Sequence, residues 1–153
     1  MLYLPYFRGR QYDLQALKSI AEQQILPANI IPIIEPVRDI RALPQTIAAF
    51  VTHDHPIVVI ANPTVSDYAL TQEKLNDWRP YQDNPNLIVG HVLTPTLIPD
   101  SLTASAGHQT LLVARQYDAL KTAQHAGWLT APDYLLVPCL LYTSDAADDM
   151  QCV

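Results

Sequence analysis

Short apolar runs alternate along this chain with stretches whose apolar residues recur at helical spacing. The apolar runs are LYLPYF (2–7), IIPII (30–34), PIVVIA (56–61), LIVGHVL (87–93), TLLVA (110–114) and YLLVP (134–138). Most are continuous in Ile, Val and Leu, the pattern of parallel strands covered on both faces, whereas a half-solvated strand alternates apolar with polar. Between them, YDLQALKSIAEQ (12–23) places Leu14, Leu17, Ile20 and Ala21 on one helical face. LPQTIAAFV (43–51) carries Pro44 in its first turn, where the missing N–H costs nothing. SDYALTQEKLNDW (66–78) has Ser66 or Asp67 available as a cap, and YDALKTAQHAGW (117–128) has Gly127 as its stop.

Strand and helix alternating without a long polar linker predict an α/β domain with a parallel sheet. Two architectures compete, a (β/α)8 barrel and a doubly wound open sheet. The barrel collects its site from the C-terminal ends of several strands, and the doubly wound sheet forms it at one switch point. Here nearly every run ends in a distinctive polar group: Arg8 and Arg10 after the first, Glu35 after the second, Asn62 after the third, His91 within the fourth and Arg115 after the fifth. The four glycines form no GxGxxG or phosphate-loop pattern. The expectation is therefore an incomplete barrel, since six strands do not close an eight-stranded one, with an unpaired sheet edge that favours aggregation.

Composition changes this picture at one end. Residues 139–148, CLLYTSDAAD, are what TGT CTC TTA TAC ACA TCT GAC GCT GCC GAC encodes, and that DNA resembles a transposase-type sequencing adapter. We therefore expect residues 1–138 to be the N-terminal part of a single domain and 139–153 to be a non-native tail. Setting the tail aside removes both cysteines, Cys139 and Cys152, so no disulfide or cysteine metal site is expected. The 15 acidic residues fall to 12 against 9 basic ones, and the formal charge from -6 to -3. Mild acidity argues against a generic nucleic-acid binder, which carries a basic face for phosphates. No apolar run approaches a membrane span, and Pro5 interrupts the first one where a signal peptide needs continuity. A cytoplasmic protein without a membrane partner is the expectation.

The opening YLPYFRGRQYDLQALKSI, then IIPIIEPV and VVIANP, resembles a bacterial family related to phage and bacterial beta proteins (beta family proteins). The matching positions are Tyr3, Pro5, Arg8, Gly9, Arg10, Gln11, Asp13, Ala16 and Leu17, then Pro32 to Pro36, Asn62 and Pro63. Asp13 stands where that family more often has Glu. The likeness covers roughly the first 65 residues. It implies a longer parent protein and supports the architecture, with no agreed reaction, cofactor or site to carry over.

The strand-end groups suggest a site. Glu35 at the mouth of a barrel would have a raised pKa suited to acid/base work; its bland alternative is a salt bridge to Arg8, Arg10 or Arg38, or a helix cap. Arg8, Arg10 and Arg115 offer guanidinium forks for a phosphate or carboxylate. Asn62 could orient a substrate oxygen, though Asn before Pro is also an ordinary strand exit. His91 could act as a base, though a lone His in an apolar strand is more often a satisfied core residue. Metal chemistry has thin support: Glu35 and His91 are the only inward candidates, and THDHP (52–56) precedes a strand, at the end opposite the site. The Arg-Gly and Glu faintly resemble glycerophosphodiester phosphodiesterases, but Phe7 and Val37 stand where that family needs a His and an acidic residue. No serine sits in a GxSxG elbow.

Two readings follow. One is a barrel enzyme acting on an anionic small molecule, phosphorylated or carboxylated, with Glu35 and His91 catalytic and Arg8, Arg10, Asn62 and Arg115 binding substrate. The other is a non-catalytic barrel that binds a partner protein or nucleic acid in a phage or defence setting. The exposure and charge state of Glu35 discriminate between them, because a carboxylate closed to solvent and paired with Arg is an anchor.

Overall fold

A computed structural model describes residues 1–64, 76–94, 109–130 and 132–137. The third expected helix (66–78) and the tail from Cys139 onward lie wholly or almost wholly outside the described residues. The chain is α/β. Its strands among the described residues are β1 (Tyr6–Gly9), β2 (Ile33–Pro36), β3 (Ile57–Ile60), β4 (Leu87–Val92), β5 (Thr110–Val113) and β6 (Tyr134–Leu136). Its α-helices among the described residues are α1 (Gln11–Glu22), α2 (Ala42–Thr52) and α3 (Tyr117–His125).

All six strands are parallel and lie in the order β1-β2-β3-β4-β5-β6. A doubly wound sheet reverses its strand order at a switch point; no reversal occurs among these strands. The sheet is also curled into a half-barrel. Parallel neighbours lie about 4.8 Å apart, so in a flat sheet β1 and β5 would be about 19 Å apart. Yet Arg115, just past β5, hydrogen-bonds the Tyr6 hydroxyl on β1 at 2.5 Å. Only a curved sheet brings them within reach.

Prolines trim the first two strands relative to their apolar runs. Pro5 and Pro32 cannot donate to a ladder, and the strands begin just after them, at Tyr6 and Ile33. Their carbonyls still accept, Pro5 from Ile33 N–H and Pro32 from Val58 N–H. The run 117–128 stops short at His125 because Gly127 takes a positive φ of 75°, the left-handed cap that only glycine adopts without strain.

Period-two alternation divides the strand side chains between two apolar layers. The concave layer joins Ile33, Val58, Ile60, Ile88, Val92, Leu111 and Val113, with Tyr6, Tyr134 and Leu136 at its margin. The convex layer packs Ile34, Ile57, Val59 and Leu87 against Leu14, Leu17 and Ala21 of α1 and Leu43, Ile47 and Phe50 of α2. Each fully buried side chain of this size contributes about 1.5–3 kcal/mol relative to exposure. The Thr46 hydroxyl lies 2.9 Å from Leu14 O and 2.8 Å from Ala42 O, tying α2 to α1. A third cluster packs Leu93, Leu112 and Ala114 against Ala119 and Ala123 of α3.

Gly90 holds a concave position on β4, paired with Leu111. A Cβ there would lie 2.7 Å from Ile60 Cδ1 and 3.0 Å from Val58 Cγ1. The missing side chain is what lets these two neighbours fill the interior. Gly90→Ala is expected to destabilise the fold by about 1–3 kcal/mol in chemical denaturation. Combining it with Ile60→Val should recover part of that loss, and strictly additive losses would contradict the steric explanation.

Candidate functional site

Three of the four site residues lie at or just past the C-terminal end of a strand, and the fourth, Tyr6, opens β1. Glu35 is the third residue of β2, Thr64 follows β3 by four positions, and Arg115 follows β5 by two. Alternation puts Glu35 on the concave side with Ile33, and Tyr6 reaches it from β1. Glu35 has no exposed surface at all, so its charge needs partners. Two donors bond it, Thr64 N–H to Oε1 at 3.1 Å and Arg115 Nη2 to Oε2 at 2.6 Å, and the nearby Tyr6 hydroxyl helps to hold it ionised. Arg115 in turn donates from Nη1 to Thr64 Oγ1 at 2.8 Å and from Nη2 to the Tyr6 oxygen. Its guanidinium carbon also sits 5.3 Å from the Tyr6 ring centroid.

Electrostatics follow from this closure. Burial opposes the Glu35 charge, but the hydrogen bonds from Arg115 and Thr64, with help from Tyr6, outweigh it and hold the carboxyl below its ordinary range. Arg115 loses solvent too, yet Glu35 and Tyr6 hold it firmly protonated. Burial, then the neighbouring Glu35 charge, pushes the Tyr6 phenol up, so it stays protonated. Glu35 was expected to have a raised pKa; the shift is the reverse, because a guanidinium from 80 positions away reaches it. The partners weighed from sequence, Arg8, Arg10 and Arg38, form no ion pair with it among the described residues.

The other expected site residues divide. Arg8 pairs in register with Glu35 and shares the concave parity of Tyr6, with its side chain exposed at the rim. Among the described residues it forms no ion pair. Arg10 is exposed at the start of α1, on the same turn. Asn62 is occupied by the backbone: its Nδ2 donates to Val92 O at 2.9 Å, and its Oδ1 accepts from Val92 N–H at 2.8 Å. The ladder explains why. Ala61 N–H bonds Gly90 O, so the next donor toward Val92 O would be residue 63, and Pro63 has none. The Asn62 amide takes its place, which corrects the substrate-orienting role expected for it.

His91 is corrected as well. It pairs with Leu112 and so falls on the convex parity, between Val89 and Leu93 of the outer clusters; Gly90 takes the concave position beside it. It is nearly buried and stands apart from the Glu35–Arg115 network, and burial lowers its pKa. The THDHP segment is a brace at the opposite end. His53 bonds Gln24, while His55 stacks edge-on against Phe50 and reaches the carbonyls of Pro56 and Pro27. Among the described residues no three His, Cys, Asp or Glu come together as a metal site, and no helix is long and apolar enough to cross a membrane.

Two site members escaped the sequence reading. Tyr6 was within reach of it, lying two positions before Arg8 and so on the same face. Thr64 carries no pattern, since only the curl of the sheet brings its loop to Arg115.

Both lowered pKa values make the fold acid-labile. A His buried neutral contributes stability present above its ordinary 6.5 and lost as pH falls below it, and Glu35 adds a second loss below its ordinary 4.5. The unfolding free energy from chemical denaturation should fall in two stages, each group contributing at most about 1.4 kcal/mol per pH unit. His91→Met is expected to remove the upper stage and leave the lower; an unchanged upper stage would assign it to another group.

No family model, curated protein or solved structure matches this chain.

Proposed function

We propose that the chain is part of a (β/α)8-type barrel whose strand C-terminal mouth binds a small molecule through a carboxylate or phosphoryl group, with Arg115 as the principal contact. The monotonic strand order and the curl support the barrel, and barrels gather their ligand sites at this end. The carrying observation is the state of Arg115. Its guanidinium is fixed by three partners, yet 27% of its side chain remains in solvent. A fixed, charged, partly exposed guanidinium has lost its rotamer freedom before any ligand arrives, so binding costs less. Glu35 neutralises Arg115, which leaves Arg8 and Arg10 as the excess positive charge on the β1 side of the rim.

In this reading Glu35 is the anchor that aims Arg115. A carboxylate closed to solvent and held ionised has no proton to give near neutral pH and takes one poorly, so the acid/base role loses its support. The likeness of the first 65 residues to beta family proteins is compatible with a longer barrel and adds no reaction.

Calorimetric titration of the chain with inorganic phosphate and with acetate tests the reading. Arg115→Gln is expected to weaken the bound anion by at least about tenfold, as loss of a charged hydrogen bond does. Arg115→Lys should rescue little, because an ammonium lacks the planar fork. Glu35→Gln should weaken binding and lower the denaturation midpoint together. Anion affinity unchanged in Arg115→Gln, or no binding of either anion by the parent chain, would remove the proposal.

A further inference from the structure

The hydrogen-bond capacity of the site is spent asymmetrically, and the remainder points to a second ligand contact. Arginine carries five N–H donors. Arg115 gives one to Thr64, one to Tyr6 and one to Glu35, so two have no acceptor among the described residues. Thr64 Oγ1 uses a lone pair to accept from Arg115, and its own O–H hydrogen likewise has no acceptor among the described residues. Thr64 is exposed, and its oxygen lies 2.8 Å from Arg115 Nη1. The acceptors face the other way. Both Glu35 oxygens are bonded and wholly closed to solvent, and the Tyr6 oxygen is occupied by Arg115. What the network offers to solvent among the described residues is therefore a patch dominated by donors, whose one exposed acceptor is the second lone pair of Thr64 Oγ1.

Resting on the anion-binding reading above, we infer that Thr64 is a direct ligand contact that sets specificity: its hydroxyl donates beside Arg115 to the oxygens of one carboxylate or phosphoryl group. Two adjacent donors, one charged and one neutral, match a group that only accepts. They disfavour a group that donates at the same point, such as an ammonium or the NH2 of a primary amide, because it would face the Arg115 N–H groups and charge and could be accepted only by the second Thr64 lone pair, at the cost of the hydroxyl's own donation. Accepting from a guanidinium also polarises the Thr64 hydroxyl and makes it a stronger donor. The methyl group is dispensable in this role and the hydroxyl is not.

The test compares Thr64→Val and Thr64→Ser with the parent chain, titrating inorganic phosphate, acetate and the neutral isostere acetamide, and following the Glu35 carboxyl carbon resonance, which reports the Arg115–Glu35 contact and does not involve the Thr64 hydroxyl. Thr64→Val is expected to lose about tenfold in anion affinity, and Thr64→Ser to retain it. Acetamide should bind to none of the three. Phosphate and acetate run as separate arms show which oxyanion class the site prefers. A Glu35 resonance that stays in place in Thr64→Val while affinity falls supports direct contact. A displaced resonance assigns the loss to Arg115 positioning and overturns it. Thr64→Val with parental affinity, while Arg115→Gln binds poorly, also overturns it and leaves the anion site standing. Failure of the parent chain to bind either anion instead defeats the underlying reading.

Discussion

A carboxylate with no exposed surface has to find compensation inside the protein, and the way Glu35 finds it organises this structure. Its cation comes from beyond β5, three strands across the sheet, its other donor comes from the loop after β3, and the Tyr6 hydroxyl of β1 helps to hold it ionised. Those elements meet only if the sheet curls, so the ion pair and the curvature require each other. Taking one partner away would strand a buried charge, which is why such a pair resists loss even where its net contribution to stability is small. Four separate stretches of chain are thereby pinned at one end of the sheet.

The same geometry takes Glu35 and Tyr6 out of proton transfer in the neutral range. Working acids and bases keep a pKa near the operating pH, whereas at Glu35 the surrounding donors outweigh burial and drive it down, and at Tyr6 burial and the Glu35 charge outweigh Arg115 and drive it up. Both groups stay in one protonation state through the neutral range. What they hold steady is the guanidinium of Arg115, whose remaining donors and partial exposure make it the outward face of the network. Arg8 and Arg10 are exposed at the end of β1, in register with and just past Glu35, in a chain whose formal charge is -6.

Alternation on the strands decides which polar residues take part. Tyr6 and Glu35 share the concave parity, while His91 lies one residue off it and is taken up by the convex layer. Asn62 is at the right end of its strand and still takes no part, because Pro63 leaves a ladder carbonyl without a donor and the Asn62 side chain fills the gap. A polar residue at a strand end is therefore a site candidate only after the backbone's own needs have been met.

Much of the fold was readable in the order of residues. Continuous Ile, Val and Leu runs separated by amphipathic stretches sufficed for six parallel strands, because burial on both faces leaves a one-dimensional trace. Strand limits at Tyr6 and Ile33 were readable from Pro5 and Pro32, and the end of α3 from Gly127, since these residues act through their own backbone. That Glu35 and Arg115 belonged at one end of the sheet was legible as well. Their pairing was not, nor the roles of Tyr6 and Thr64. Which guanidinium reaches a given carboxylate depends on the curvature of the whole sheet, and on which face each residue falls. Local chemistry along the chain determined the elements; only the closing of the sheet decided which side chains became one site.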